Sequence, residues 1–452
     1  MNGKRTALAA LATAAVLGAL LPAGPALAQS TAAESGYRIA PDAQPVKGAE
    51  SSADGPELKA GTVYRDRIGP GGKLYYKIEL DAKSNSFVQV VAAPGTTDQL
   101  AFNDGISISI LSAGNTTCGK VDDSVGTDNR ATALIDAAYR LIEPDGDCQE
   151  ADVYNVLVER VSKATSTPDD WTLELRPKVE PPVTGKPGGT PQAWPEGTPP
   201  PRPGIEARPI TGGRGLADAA GMYDGVWKDR IPPGQTRYYR VPLDWGQSLA
   251  THVEFGTVPV SDDSAWHSSG ASVEYYDPAG WHVGSGEASY NGREQAKVVN
   301  WTPKIDYATR FSDDSSIVGF AYAGWYVVAV HVHQEVGKFV KGTVPVVLRT
   351  SVKGEPAAGP VYAGDAVEAG FGVGEDDREA AKEGLSAAQA DTGGGLRPVL
   401  GYVGVGVGSL LILGLGGWWL LGRRTGAGPA DAAGPANPYQ QPPGGGYGYP
   451  PQ

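Results

Sequence analysis

The chain has 452 residues and a formal net charge of −13, from 38 basic and 51 acidic side chains. This acidic balance leaves no basic field of the kind that attracts nucleic acid, so we expect no nucleic-acid partner. Setting aside the terminal and low-complexity segments described below leaves about 300 residues, enough for two domains of ordinary size.

The N-terminus has the three-part pattern of a secretory signal peptide. Lys4 and Arg5 precede an uncharged run rich in alanine and leucine, and small residues follow at the position that signal peptidase requires. We expect cleavage between Ala28 and Gln29. This divides the start of the chain into a signal peptide over 1–28 and an N-terminal extension over 29–57.

The segment after the extension contains an internal duplication. Residues 64–81 and 227–244 align at one constant offset, with identical aspartates and tyrosines in both copies. Three shorter matches follow, pairing 106–114 with 272–280, 154–158 with 326–330, and 171–176 with 344–349. Two domain-sized repeats are therefore expected, at 58–177 and 215–352.

Within each repeat, apolar and polar residues alternate with a period of two, and Gly-Pro turns precede the strands. This pattern predicts half-buried strands. Helical periodicity is almost absent, and residues 131–141 are the main exception. We predict an all-β ectodomain of two tandem antiparallel β-sandwich domains.

Only two cysteines are present, Cys118 and Cys148, and both lie in the first repeat. An exported protein permits them to pair, so we expect one disulfide bond. Two separate buried thiols are the alternative.

Two segments join or follow the repeats. Residues 178–214 are crowded with proline and glycine, which predicts an extended linker that holds the domains apart. Residues 353–397 are interpreted as an acidic stalk, within which 375–390 could form a short helix with acids in its first turn.

An uncharged segment over 398–422 is long enough to span a bilayer as a helix. Arg423 and Arg424 follow it, and retention of positive charge on the cytoplasmic side predicts a single-pass type I membrane protein with a disordered cytoplasmic tail over 423–452. The cell membrane, with the ectodomain outside, is the expected location. Gly404 and Gly408 permit close approach of two such helices, so a homodimer through the span is an open alternative.

Residues 389–393 (QADTG), followed by the apolar span and the two arginines, are similar to a sortase sorting signal. The leading leucine of such signals is replaced by Gln389, and the tail is longer than usual. Covalent attachment to the cell wall is therefore an alternative to a retained membrane anchor.

The motifs at 67–76 (RIGPGGKLYY) and 323–330 (AGWYVVAV) resemble those of bacterial pre-peptidase C-terminal domains. The resemblance is one of pattern and covers about 250 residues. It implies a jelly-roll-like sandwich and an accessory binding or spacing role. The chain departs from that family in lacking an attached catalytic domain and in the insertion between the two cysteines. The composition, rich in alanine, glycine and proline, and the Pro-Tyr-Gln-Gln sequence of the tail are similar to those of surface proteins of high-GC Gram-positive bacteria.

Candidate metal ligands are few. His331 and His333 are two apart on a predicted strand and share one face, but two histidines do not close a coordination sphere. Calcium is a weaker candidate, because none of the acidic clusters has EF-hand spacing. These clusters are Asp122-Asp123, Asp145-Gly146-Asp147, Asp262-Asp263 and Asp313-Asp314. Solvated loop charge is the alternative, and we expect no cofactor otherwise.

Tryptophans in loops of the second repeat are candidate ligand-binding residues, because exposed aromatic rings stack on sugars or pack against a protein partner. They are Trp245, Trp266, Trp281 and Trp301, whereas Trp227 and Trp325 are expected to be structural.

No G-x-S-x-G elbow, H-E-x-x-H, phosphate-binding loop or catalytic-cysteine context is present in the sequence, so we expect no enzymatic activity. A cell-surface interaction protein with an extracellular protein partner is the leading hypothesis. A carbohydrate- or wall-binding module, and a subunit of a membrane-associated or secretion complex, are the alternatives.

Overall fold

The structure, a computed structural model, describes residues 36–127, 129–143, 146–185, 204–314 and 316–390. The predicted signal peptide with its cleavage site, the apolar segment 398–422 and the tail 423–452 lie outside these residues. Among the residues that the structure does describe, no helix is long and apolar enough to cross a membrane. The described part of the chain is built mainly of β-strands, as the alternating pattern predicted.

The first repeat folds into a β-sandwich, here called sandwich 1. One sheet has the strand order β1-β2-β9-β4-β7 and the other β3-β8-β5-β6. A short strand, β10, follows sandwich 1. The strands are β1 (Gln44–Pro45), β2 (Tyr64–Ile68), β3 (Lys73–Leu80), β4 (Asn85–Ala93), β5 (Gly105–Leu111), β6 (Thr117–Ser124), β7 (Leu134–Arg140), β8 (Asp152–Val161), β9 (Trp171–Glu180) and β10 (Val183–Thr184).

The second repeat forms sandwich 2, with sheets ordered β11-β13-β20-β15-β18 and β12-β14-β19-β16-β17. Its strands are β11 (Arg208–Pro209), β12 (Ala220–Gly221), β13 (Gly225–Ile231), β14 (Gln235–Leu243), β15 (Ser248–Phe255), β16 (His267–Tyr276), β17 (His282–Tyr290), β18 (Ala296–Trp301), β19 (Gly324–Val332) and β20 (Val344–Lys353). Single 3-10 turns lie at Ser52–Asp54, Tyr307–Phe311, Val318–Phe320 and Gln334–Lys338.

The strand orders show that the two sandwiches share one topology, as the duplication predicted. The register confirms the matches of 154–158 with 326–330 and of 171–176 with 344–349. The match of 106–114 with 272–280 is displaced by one residue, because the equivalent turns begin at Ser112 and Asp277. The β5–β6 and β16–β17 hairpins both contain shifts in strand register, and these shifts accommodate the one-residue displacement.

A half-buried group of hydrogen-bonded residues explains why the duplicated motif is so similar in both copies. The Asp66 carboxylate accepts hydrogen bonds from the Tyr76 hydroxyl at 2.8 Å and from the Gly48 amide at 2.7 Å. A side chain on Gly48 would approach the Tyr76 ring to 2.8 Å, so the close packing requires glycine. Sandwich 2 repeats these contacts at Asp229, Tyr239 and Gly212.

The predicted disulfide between Cys118 and Cys148 is confirmed. It joins β6 to the loop before β8 and is packed against the core of sandwich 1. Residues 131–141, the one segment with helical periodicity, form strand β7 instead. Pairing with β4 along its length overrides the local pattern.

The prediction that the linker holds the two domains apart is wrong, because all of the described residues belong to one compact unit. The outer face of β4 and β7 in sandwich 1 packs against the outer face of β14, β19 and β16 in sandwich 2. We call this contact the junction. Its buried residues form two clusters, one with Val91, Ile135, Tyr238, Tyr276 and Ala329, the other with Phe87, Ala279, Tyr322 and Phe371.

Polar contacts surround this apolar contact. Arg130, from the loop between β6 and β7, donates to Ser272 Oγ at 2.7 Å and pairs with Glu287 at 3.0 Å. The Tyr37 hydroxyl donates to the buried Glu174 carboxylate and accepts from the Leu216 amide. The two sandwiches therefore meet along both packed side chains and hydrogen bonds.

The described part of the segment interpreted as an acidic stalk packs against the two sandwiches. Strand β21 (Val361–Tyr362) pairs with β10, and Phe371 is buried at the junction. The predicted helix is present as α1 (Glu375–Glu383), which ends at Gly384 in a left-handed conformation. Its Asp377 accepts from the Trp325 indole at 3.0 Å, so the helix is held against sandwich 2.

Candidate functional site

A cleft of about 440 Å³ opens where the two sandwiches meet, and we call it the seam cleft. Sandwich 1 supplies one wall from β6 and β7, which are edge strands of its two sheets. Sandwich 2 supplies the other from the start of β17 and from the long loop between β18 and β19. The lining residues with polar or aromatic side chains are Asp136, Tyr139, Glu143, Trp281, His282, Arg310, Phe311, Ser312, Asp313 and Phe320.

Trp281 is held in the cleft by both sandwiches. Its indole Nε1 donates to the Ala137 carbonyl at 2.8 Å across the junction. Its ring meets Tyr139 edge-on at 5.1 Å and Phe87 edge-on at 5.5 Å, a geometry that favours aromatic pairs. Because the ring is only half-buried, one part stabilises the junction and another part lines the cleft.

The loop between β18 and β19 presents an arginine and an exposed aromatic ring. The Arg310 guanidinium lies 4.2 Å from the Tyr307 ring centre and 4.3 Å from that of Phe311, and its Nη1 donates to the Tyr307 carbonyl. The Asp306 carboxylate caps this turn by accepting from the Ala308 amide. Phe311 is 38% exposed, so it offers an apolar surface to a ligand.

The sandwich 1 wall carries carboxyl groups with raised pKa values. Burial raises the pKa of Asp136 to about 6. Behind it, burial and the nearby Glu274 and Asp136 carboxylates raise the pKa of Asp123 to about 7. Both groups therefore change protonation near neutral pH, so the charge of this wall depends on pH.

A second ionisable pair lies inside the junction. The Asp277 carboxylate accepts from the Gly280 and Trp281 amides, and burial raises its pKa to about 7. Its other oxygen has no hydrogen-bond partner within the described residues. Lys178 of sandwich 1 donates to the Pro278 carbonyl at 2.6 Å, and burial lowers its pKa to about 8.

The seam cleft therefore combines aromatic rings with carboxyl, imidazole and guanidinium groups in one concave site. Such a site can pack against a ring and bind hydroxyl or amino groups through its acceptors.

The four tryptophans predicted as ligand-binding residues occupy different settings, and one of them lines the seam cleft. Trp245 packs against Tyr362 of β21, and Trp301 ends β18. Trp266 is 63% exposed in the loop before β16. Trp281 is the cleft residue. Trp227 is buried in the core, as expected of a structural residue.

The rings of the two histidines proposed as metal ligands lie 6.3 Å apart, edge to face. His331 is on β19, and His333 follows the end of that strand and caps the next turn by accepting from the Glu335 amide. His331 is buried against Thr236, and burial, with nearby Arg130 and His333, lowers its pKa well below the usual value. No group of three or more His, Cys, Asp or Glu in the described ranges is arranged to hold a metal ion.

Several of the acidic residues considered for calcium have local structural roles. Asp262 accepts from the Ser264 amide and hydroxyl, and Asp314 does the same with Ser316. Asp123 accepts from the Ile135 amide, and Asp313 lines the seam cleft.

Sequence reasoning missed most of the cleft, namely Asp136, Tyr139, Glu143, Arg310 and Phe311. They come from two chain segments that meet only because the sandwiches dock. The available signal was the length of the segment between β18 and β19, since long ordered loops are often functional.

No family model matches the chain, and no curated protein matches it. Structural comparison finds low similarity to a protein from Burkholderia cenocepacia, with 12% identity, a TM-score of 0.16, and coverage of 64% of this chain and 78% of the other. The CUB1-EGF-CUB2 domain of human MASP-1/3 has 6% identity and a TM-score of 0.15, with 64% of this chain and 99% of the other covered.

The tandem CBM51 modules of a family 98 glycoside hydrolase from Streptococcus pneumoniae have 9% identity and a TM-score of 0.17. The alignment covers 64% of this chain and 83% of the other. TM-scores at this level do not establish a shared fold, so the proposals below rest on the residues of this chain.

Proposed function

We propose that this protein is a non-enzymatic extracellular binding protein whose ligand occupies the seam cleft. The observation that supports this most directly is that both sandwiches wall one concave site, where the half-buried Trp281, exposed Phe311 and the Asp136 carboxyl meet. Concave sites with aromatic surface and a few convergent polar groups are the usual form of binding sites.

Attachment to the cell membrane with the ectodomain outside is part of the same proposal. It is supported by the signal-peptide pattern over 1–28 and the uncharged segment over 398–422. The disulfide between Cys118 and Cys148 fits an oxidising compartment. The resemblance to pre-peptidase C-terminal domains supports an accessory binding role rather than catalysis.

A saccharide is the second candidate ligand, beside a protein partner. Aromatic surface at Phe311 and Trp281 fits the apolar face of a sugar ring, and the nearby Asp136 and Glu143 carboxyl groups fit its hydroxyls. Trp266 is exposed in the loop before β16 and does not line the cleft.

Site-specific crosslinking in the full chain on intact cells tests the location of the site. A photoreactive amino acid replaces Phe311 in the cleft or, as the control, Phe102, which is 54% exposed in the loop between β4 and β5. We expect a discrete adduct only from position 311. Equal adducts from both positions, or none from 311, would contradict the proposal.

The two ligand classes are separated by composition of the adduct and by a binding assay. Phe311→Ala is expected to weaken binding to isolated wall glycan if the ligand is a saccharide, whereas Trp266→Ala leaves it unchanged. Trp281→Ala is less suitable, because Trp281 also holds the junction. A protein adduct at position 311, with no glycan binding by the intact chain, identifies the partner as a protein.

A further inference from the structure

A second concave surface lies on sandwich 1 at the opposite edge of the sheet from the seam cleft. It is a groove of about 590 Å³ formed by β1, β2 and the segment that follows β1. In the order β1-β2-β9-β4-β7, strand β2 is three strand spacings from β7, or about 14 Å. The lining residues are Ile39, Pro45, Lys47, Gly48, Arg65, Asp66, Arg67, Leu74 and Thr172.

Three cations line this groove, although the chain as a whole carries a charge of −13. Lys47, Arg65 and Arg67 are exposed, and none of their side chains has a hydrogen bond or ion pair with another described residue. Arg65 and Arg67 are two residues apart on β2, so they lie on the same face about 7 Å apart.

The one carboxylate that lines the groove, Asp66, is hydrogen-bonded to neutral donors and offsets only one of the three positive charges. Asp66 accepts hydrogen bonds from the Gly48 amide at 2.7 Å, the Tyr76 hydroxyl at 2.8 Å and the Arg67 amide at 2.8 Å. These three donors occupy both of its oxygens. Three cations against this one carboxylate leave the groove with a net positive charge that is available to a ligand.

Sandwich 2 provides an internal comparison, because the equivalent positions there carry fewer cations without partners. Thr211 stands where sandwich 1 has Lys47. The Arg230 guanidinium, equivalent to that of Arg67, donates to the hydroxyl and carbonyl of Thr343. Lys228, equivalent to Arg65, and Arg230 itself are exposed. Three cations without a side-chain partner among the described residues thus line the groove of sandwich 1, against one, Lys228, at the equivalent positions of sandwich 2.

We propose that the groove of sandwich 1 is a binding site for an extended anionic polymer, whose successive oxyanions contact Lys47, Arg65 and Arg67. The planar guanidinium group matches the geometry of phosphate and carboxylate oxygens alike. Arg65 and Arg67 on β2, with Lys47 from the segment after β1, present several cations to the groove, which suits a repeating anion better than a single ion. The oxyanions of the polymer are phosphates or carboxylates, and the apolar Ile39, Pro45 and Leu74 contact its uncharged backbone.

Fluorescence anisotropy with the purified full chain tests this site. The probes are labelled linear polyphosphate and labelled polygalacturonate, which separate phosphate from carboxylate recognition. We expect at least one probe to bind at about 50 mM salt and to bind more weakly at about 200 mM, because counterions are released on binding.

Two charge-matched variants locate the site. R65Q/R67Q is expected to weaken binding by about tenfold, whereas K228Q/R230Q, which removes the same charge from sandwich 2, changes it by less than about twofold. Equal weakening in both variants would show a nonspecific effect of net charge and would overturn the proposal. Failure of both probes to bind at the lower salt concentration would overturn it as well.

The seam cleft is tested separately in the same assay. Phe311→Ala is expected to leave anion binding unchanged, because Phe311 does not line the groove. Loss of anion binding in that variant would place the polymer in the seam cleft and refute a second site.

Discussion

In sandwich 1 the outer face of β4 presents Phe87 and Val91, whereas the equivalent positions on β15 of sandwich 2 are Ala250 and Glu254. Val91 is fully buried at the junction, and Glu254 pairs with Arg349 at 3.2 Å on a face that packs against neither cluster of the junction. The same topology therefore supports two kinds of face. Side-chain composition of the outer face, rather than strand order, decides which sheet docks.

The difference between the two outer faces is tested most directly by exchanging one residue between them. Val91→Glu puts the sandwich 2 residue into the junction, opposite the buried Glu174 on β9. We expect the free energy of unfolding to fall by about 4 kcal/mol, because an unpaired charge is buried beside a like charge. Chemical denaturation measures the change.

The reciprocal variant, Glu254→Val, is the control for that exchange. It removes an ion pair on an outer face and is expected to cost about 1 kcal/mol or less. Comparable losses in the two variants would show that the junction adds little to stability.

The second prediction concerns the pH dependence of the junction. The pKa of Asp277 is raised to about 7, above the usual value of 3.8, so the protonated form is favoured in the folded state. The stability that this provides is complete below about pH 3.8 and is lost as the pH rises through 7. Asp277 faces Lys178 and Asp136. The pKa of Lys178 is lowered to about 8, so this group changes the pH dependence of stability mainly above pH 8.

Asp277→Asn is therefore expected to flatten the fall in unfolding free energy between about pH 4.5 and 7.5, by at most about 1.4 kcal/mol per pH unit. Asp123 and Asp136 retain part of the slope, since their pKa values are raised too. Ser112→Asp places a carboxylate on the equivalent turn of sandwich 1 and should add no such slope. An unchanged slope in Asp277→Asn would contradict the assignment.

The smallest expected effect tests what the two sandwiches have in common. Tyr76→Phe and Tyr239→Phe each remove one donor from a half-buried aspartate, Asp66 or Asp229. Each is expected to cost about 1 to 2 kcal/mol, because a charged acceptor loses one hydrogen bond. Thermal unfolding of the two variants should give similar shifts. A loss confined to one variant would show that the shared contact is not equivalent in the two copies.

The sequence predicted those features of the fold that depend on neighbouring residues or on the comparison of two segments. Alternation along β3 and β14 predicted strands, and the repeated motif predicted a shared topology, because both depend on neighbouring residues or on direct comparison of two segments. The disulfide was predicted because the sequence has two cysteines and a signal-peptide pattern that predicts export.

Docking and the seam cleft could not be predicted from the same pattern. The run from Phe87 to Ala93 is apolar on both sides of β4, which is typical of a strand buried on both faces, but the pattern does not say what covers the second face. The proline-rich composition of the linker favoured separated domains. Burial of the Phe87 and Val91 side chains across the junction outweighs that local preference.

The junction also has a consequence for assembly, because the two sandwiches dock through unlike sheets. An interface between unlike surfaces is not closed by twofold symmetry, so identical units joined in this way would add to one another without limit. Association ends at two sandwiches only if the sheet faces that remain uncovered cannot dock a further copy. The outer face of sandwich 2 carries Glu254, Lys297 and Arg349, and the outer face of β3 and β8 in sandwich 1 carries the Lys73–Glu159 ion pair, so docking of a further unit on either face would bury charged groups.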